Sequence, residues 1–135
     1  MQLRTLFNGT EYEICDVFIQ SRSLVEEFID ALSTPEQKKI VALLERTANE
    51  GLPLNREKFK KLEDGIFEFK SFQVRILCTI LGKKIILTHG VLKKKDRHDP
   101  ESIEKARRLL HDAGVKQLRL MTNAGTKENN KWRKK

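Results

Sequence analysis

Residues 66–92 read IFEFKSFQVRILCTILGKKIILTHGVL, and this stretch decides the fold. It predicts three strands in quick succession. Ile66–Lys70 alternates, with Phe67 and Phe69 on one face and Glu68 and Lys70 on the other. Phe72–Leu81 is the longest apolar run. Val74, Ile76, Cys78 and Ile80 share one face, opposite Gln73, Arg75, Leu77 and Thr79. Gly82-Lys83 turns the chain into Lys84–Leu92. Connections this short join neighbouring antiparallel strands, so the stretch reads as a meander.

Upstream, two helices are expected back to back. Ser23-Leu24-Val25-Glu26 is a capping-box pattern, followed by Val25, Phe28, Ile29 and Leu32 at helical spacing. Thr34-Pro35-Glu36-Gln37 starts the second, with threonine as cap and proline at the first helical position. Its inner stripe is Ile40, Val41, Leu43, Leu44 and Ala48, and Gly51 is its stop. Further upstream, Leu3–Phe7 and Glu11–Ile19 flank Asn8-Gly9, which reads as a hairpin with a two-residue turn. Residues 52–64 read as a connection carrying the basic run Lys58-Phe59-Lys60-Lys61. Downstream, Asp99-Pro100-Glu101 begins a last helix with Ile103, Ala106, Leu109 and Leu110 inside, ending at Gly114. The expected class is α+β: a curved antiparallel sheet packed against two consecutive N-terminal helices, with a further C-terminal helix. Residues 1–114 form the expected domain. Residues 115–135 read as a basic, partly disordered extension that ends Lys131-Trp132-Arg133-Lys134-Lys135.

Charge is unevenly distributed along the 135 residues. Residues 1–55 hold five basic and nine acidic side chains, a net of −4, whereas residues 56–135 hold 22 and 10, a net of +12. That asymmetry suits a polyanion partner, because each lysine or arginine that neutralises a phosphate releases a counterion; a solvated basic surface is the plainer alternative. Two cysteines, Cys15 and Cys78, lie in separate apolar stretches and read as buried thiols of a cytoplasmic protein. No run approaches the roughly 20 apolar residues of a membrane span, and Met1–Phe7 lacks a signal peptide's apolar core.

Alternation places Lys70 and Arg75 at solvent-facing positions of adjacent strands, and the third strand leads into Lys93-Lys94-Lys95, Arg97 and His98. Such cations converging on one concavity would hold a phosphodiester and stabilise the added charge of its transition state. Lysines that merely protect a sheet edge are the alternative. Of the three histidines, His98 stands beside the lysines and is the best-placed acid or base. His89 shares the face of Ile85, Leu87 and Val91 and reads as a core residue, and His111 sits at a helix C-terminus. No His, Cys and carboxylate spacing matches a metal site, and there is no glycine-rich phosphate loop.

Residues 58–110 resemble the RelE/HigB superfamily of toxins, in its phage-derived branch. The likeness rests on Lys60-Lys61-Leu62-Glu63-Asp64-Gly65-Ile66-Phe67-Glu68-Phe69-Lys70, on Gln73-Val74-Arg75-Ile76, and on His89-Gly90-Val91-Leu92-Lys93-Lys94-Lys95 followed by Pro100, Ile103 and Ala106. The resemblance implies an endoribonuclease toxin that cleaves mRNA on the ribosome without a metal or other cofactor. It also implies a cognate antitoxin, a small helix-turn-helix protein. By position, Arg75 matches a phosphate-binding arginine, Lys70 stands where the family usually has arginine, and Lys93 and Lys94 match paired lysines. His98 joins these as acid or base, with Lys60, Lys61, Lys95 and Arg97 as further RNA contacts. An RNA- or ribosome-binding module that does not cleave fits the same features.

Overall fold

The computed structural model describes residues 2–93 and 99–115. Strands β1 (Gln2–Asn8) and β2 (Glu13–Ile19) form the N-terminal hairpin, and β2 turns into a two-residue strand, β3 (Arg22–Ser23). Helices α1 (Leu24–Asp30) and α2 (Thr34–Glu50) follow. Four strands come next, β4 (Phe59–Glu63), β5 (Ile66–Ser71), β6 (Val74–Leu81) and β7 (Lys84–Leu92), and then α3 (Pro100–Asp112). Among the described residues no helix is long and apolar enough to cross a membrane.

The meander expected from residues 66–92 is present, extended by β4 at its edge. The order across the sheet is β1-β2-β7-β6-β5-β4, with β3 beside β2. All neighbours are antiparallel except β2 and β7, whose parallel pairing runs from Glu13 opposite Lys84 to Asp16 opposite Leu87. That pair joins the N-terminal hairpin to the meander.

Both faces of the sheet are covered. On one, Val25 and Ile29 of α1 and Ile40, Val41, Leu44 and Ala48 of α2 pack on Ile14, Phe69, Val74, Ile76, Cys78, Ile85 and Leu87. On the other, Ile103, Ala106 and Leu110 of α3 pack on Leu3, Cys15, Val17, Ile66, Leu77 and Ile86. Each face removes a dozen or so apolar side chains from water, the main stabilising contribution in a domain of this size.

Local signals are partly as expected. Ser23 caps α1 by accepting from the Glu26 amide at 3.0 Å, and its hydroxyl donates to the buried Asp16 carboxylate. The cap of α2 is Ser33, one residue before the expected Thr34, and Glu36 rather than Gln37 completes the box. The third residue beyond the cap must reach back to the cap amide, and Glu36 holds that place relative to Ser33.

Asn8-Gly9 is not a two-residue turn. Residues 9–12 form a longer loop docked on the C-terminal end of α2, where the Ala48 carbonyl accepts from the Glu11 and Tyr12 amides, both at 2.9 Å. This satisfies a helix-end carbonyl that lacks an intrahelical donor. Gly9 is needed for close approach, since a Cβ there would stand 2.2 Å from the Ala48 oxygen. The two-residue turn lies instead between β2 and β3, where Gln20 and Ser21 both take positive φ (50° and 65°).

The stretch 52–64, read as a connection, contains β4. Its alternation is masked by lysines, yet Phe59 is buried and stacks against Phe67 with ring centroids 5.5 Å apart.

Candidate functional site

The meander sets the site. Lys70 lies opposite Arg75, and Arg75 opposite Val91, in one row across β5, β6 and β7. In the adjacent row Lys60 lies opposite Glu68, Glu68 opposite Leu77, and Leu77 opposite His89. These side chains point to the face that carries α3. Lys70 and Arg75 therefore do not face solvent as alternation alone suggests: they are 6% and 4% exposed. The alternation is right, but these positions are buried in the sheet rather than open to water.

Glu68 lies at the centre of this group and is 1% exposed. Its Oε2 is 3.7 Å from Arg75 Nε, and it accepts no hydrogen bond from the described residues. Burial pushes its carboxyl above the ordinary range, while Lys93, Arg75, Lys60 and Lys70 pull it down. Desolvation therefore outweighs the attraction of the neighbouring cations at this carboxyl. Sequence reading placed Glu68 beside Lys70 without giving it a role; a lone acid on the basic face was the available signal.

Arg75 Nη1 donates to the Phe72 carbonyl and, at 3.2 Å, to the Val74 carbonyl, which ties the guanidinium to the β5–β6 turn. At this end of the sheet Lys70 and Arg75 line a cleft of about 1000 Å³ between α2, residues 51–58 and the turn. Lys93 is held by its backbone amide, which donates to the Gln73 carbonyl at 2.8 Å. Lys60 joins the group through β4. Lys61 does not: it projects to the other side and pairs with Asp64 at 3.1 Å. Lys94, Lys95, Arg97 and His98 lie outside the described residues.

His89 departs from its expected neighbours. Leu77 pairs with His89 while Cys78 pairs with Leu87, so Thr88 is an extra residue in β7. A bulge of one residue reverses the faces beyond it. His89 thus lies on the α3 side with Val91, and Ile85 and Leu87 point the other way. It is buried, as expected. Its Nδ1 is 3.1 Å from Thr88 Oγ1, and its Nε2 has no hydrogen-bond partner among the described residues. Burial above all, then Lys105, lowers its pKa to about 4, against Asp99; Arg108 adds to the lowering. His89 is accordingly neutral at physiological pH.

His111 is exposed in the last turn of α3, 3.6 Å from Asp112. Both cysteines are buried, and burial pushes their thiols up, Cys15 to about 12. Neither is a thiolate nucleophile near neutrality. Among the described residues no three His, Cys, Asp or Glu side chains gather as a metal-binding group.

The family model described as "Phage derived protein Gp49-like (DUF891)" matches residues 27–111, from α1 through α3. The chain belongs to this Gp49-like family. The family is part of the RelE/HigB-type toxin superfamily. No curated protein matches the sequence. The matched region contains every described member of the cationic group and Glu68, whereas the β1–β2 hairpin lies outside it.

Proposed function

We propose that this Gp49-like chain is the toxin of a toxin–antitoxin pair, a cytoplasmic endoribonuclease that cleaves mRNA on the ribosome. The observation that carries the reading is the placement of Lys60, Lys70 and Arg75 on adjacent strands around the buried Glu68, with Arg75 Nε 3.7 Å from its carboxylate. A set of fixed cations stabilises the charge that builds on a phosphorane-like transition state. In the proposed step the 2′-oxygen of a ribose forms a bond to the adjacent phosphorus, and the bond from phosphorus to the 5′-oxygen breaks. The products are a cyclic phosphate and a 5′-hydroxyl. Glu68 takes the 2′-hydroxyl proton, and a protonated group returns one to the leaving oxygen; His98 is the candidate for that second role. Arg75 and Lys70 hold the scissile phosphate, with Lys93 and Lys94 on its neighbours. A cognate antitoxin, a small helix-turn-helix protein, would neutralise the activity.

The test is induction in bacteria, with growth and transcript ends followed together. Wild type should arrest growth and generate new 5′-hydroxyl ends, and Arg75→Ala should do neither. Identical behaviour of the two would refute the catalytic reading.

The burial of Lys70 and Arg75 favours a second reading, an RNA- or ribosome-binding module without cleavage. Salt-dependent ribosome binding with no new transcript ends would select it.

A further inference from the structure

Phe72 stands at the rim of the cleft formed by α2, residues 51–58 and the β5–β6 turn. The residue is 76% exposed. Its backbone is also strained. Ser71 pairs with Val74, so Phe72 is the first residue of a two-residue turn, and its φ is 56°. Glycine is the usual occupant of that position, and the next turn along the sheet places Gly82 there, at φ 61°. A phenylalanine held in this conformation costs free energy, and an exposed ring returns little of it through burial.

The surroundings of the ring are cationic. The Lys39 ammonium lies 5.5 Å from the ring centroid. The exposed Arg46 and Lys58 line the cleft with Glu57 and with Glu50, which pairs with Arg46 at 3.1 Å, while the buried Lys70 and Arg75 border it. An exposed aromatic face beside a groove of positive charge is what single-stranded nucleic acid requires, because bases stack on the ring while phosphates follow the cations.

We propose that Phe72 is a nucleobase-stacking platform at the mouth of this cleft, and that its ligand is single-stranded RNA with phosphates along the exposed Lys39, Arg46 and Lys58. The inference rests on the RNA reading above and adds a subsite to it. Arg75 links the two places: its guanidinium donates to the carbonyl of Phe72 itself. A base stacked on Phe72 would therefore act on the placement of Arg75 through that carbonyl.

The experiment measures binding of a fluorescent 2′-O-methyl oligoribonucleotide to the full chain at low salt. This probe lacks the attacking hydroxyl, so affinity is read whether or not the chain is a nuclease. Phe72→Gly should weaken binding by about tenfold while raising the thermal midpoint, because glycine relieves the left-handed backbone. Phe72→Trp should bind within about twofold of wild type, and its stacked indole should report the bound base. Opposite movement of affinity and stability is not expected of a merely structural residue. Unchanged affinity in Phe72→Gly overturns the subsite and leaves the nuclease reading standing. Phe72-dependent binding by a chain that cuts no transcript supports the subsite and overturns the nuclease reading alone. Absence of RNA affinity in wild type overturns both.

Discussion

Acidification tests the packing of α3 on the sheet through one residue, His89. The imidazole is buried, and its pKa falls from 6.5 to about 4. The fold therefore disfavours the protonated ring by roughly 3 kcal/mol. Stability tied to this group is fully present above pH 6.5 and drains away as pH falls towards 4, since the unfolded chain binds a proton that the folded chain refuses. At pH 4.5 about 2–3 kcal/mol should be lost through His89 alone. With a urea slope of roughly 1.5–2 kcal/mol per molar, that loss lowers the unfolding midpoint by about 1–2 M. The assay is urea unfolding followed by circular dichroism at pH 7.5 and 4.5, for wild type and His89→Gln. Carboxylates titrate in both proteins, so their contribution cancels in the difference. The variant should lose less stability than wild type by the stated amount. The imidazole resonances of His89 give an independent reading and should stay in the neutral position at pH 5.5. Equal acid losses in the two proteins, or a His89 that titrates near 6.5, would refute the reasoning.

Three further outcomes are expected. Gly90→Ala should destabilise by about 1–3 kcal/mol, because a Cβ there would lie 2.1 Å from Phe28 Cδ2 of α1. In thermal melts, combining it with Phe28→Ala should cost clearly less than the two changes added, and simple additivity would deny the contact. Glu68→Gln should slow transcript cleavage by roughly 10²–10⁴-fold with the far-ultraviolet dichroism unchanged, and a wild-type rate would remove Glu68 from the chemistry. Ser33→Ala should cost about 1 kcal/mol through loss of the α2 capping box, read as a lower urea midpoint.

The three strands of residues 66–92, the two early helices and the last helix were legible because their periodicities are clean, although the α2 cap is Ser33 rather than Thr34. What escaped depended on long-range contact. Nothing local to Glu13–Asp16 announces a parallel partner at Lys84–Leu87. β4 was hidden because a lysine-rich edge strand resembles a connection until Phe59 is seen against Phe67. The Asn8-Gly9 signal was real, but the glycine answers to the Ala48 carbonyl rather than to a tight turn.

At the site, alternation correctly grouped Lys70 with Glu68 and paired Lys70 with Arg75 across the turn. It mistook a buried row for an open one, because the burial comes from tertiary packing that alternation does not register. His89 was assigned to the wrong layer because a single extra residue, Thr88, shifts the count, and no local feature of Leu87-Thr88-His89 announces a bulge.

The position of β7 has a consequence for synthesis. Among the described residues it is the last strand, yet it lies in the interior of the sheet, between β2 and β6. As the chain emerges from its N-terminus, the β1–β2 hairpin and both early helices are complete before their central partner exists. The β2–β7 ladder and the adjoining β6–β7 ladder can close only once Lys84–Leu92 has been made. Contacts this distant in sequence form slowly and together. Native structure should therefore appear late and in one step, after most of the polypeptide has left the translating ribosome. A chain that stops before residue 84 would lack the strand that joins its two halves.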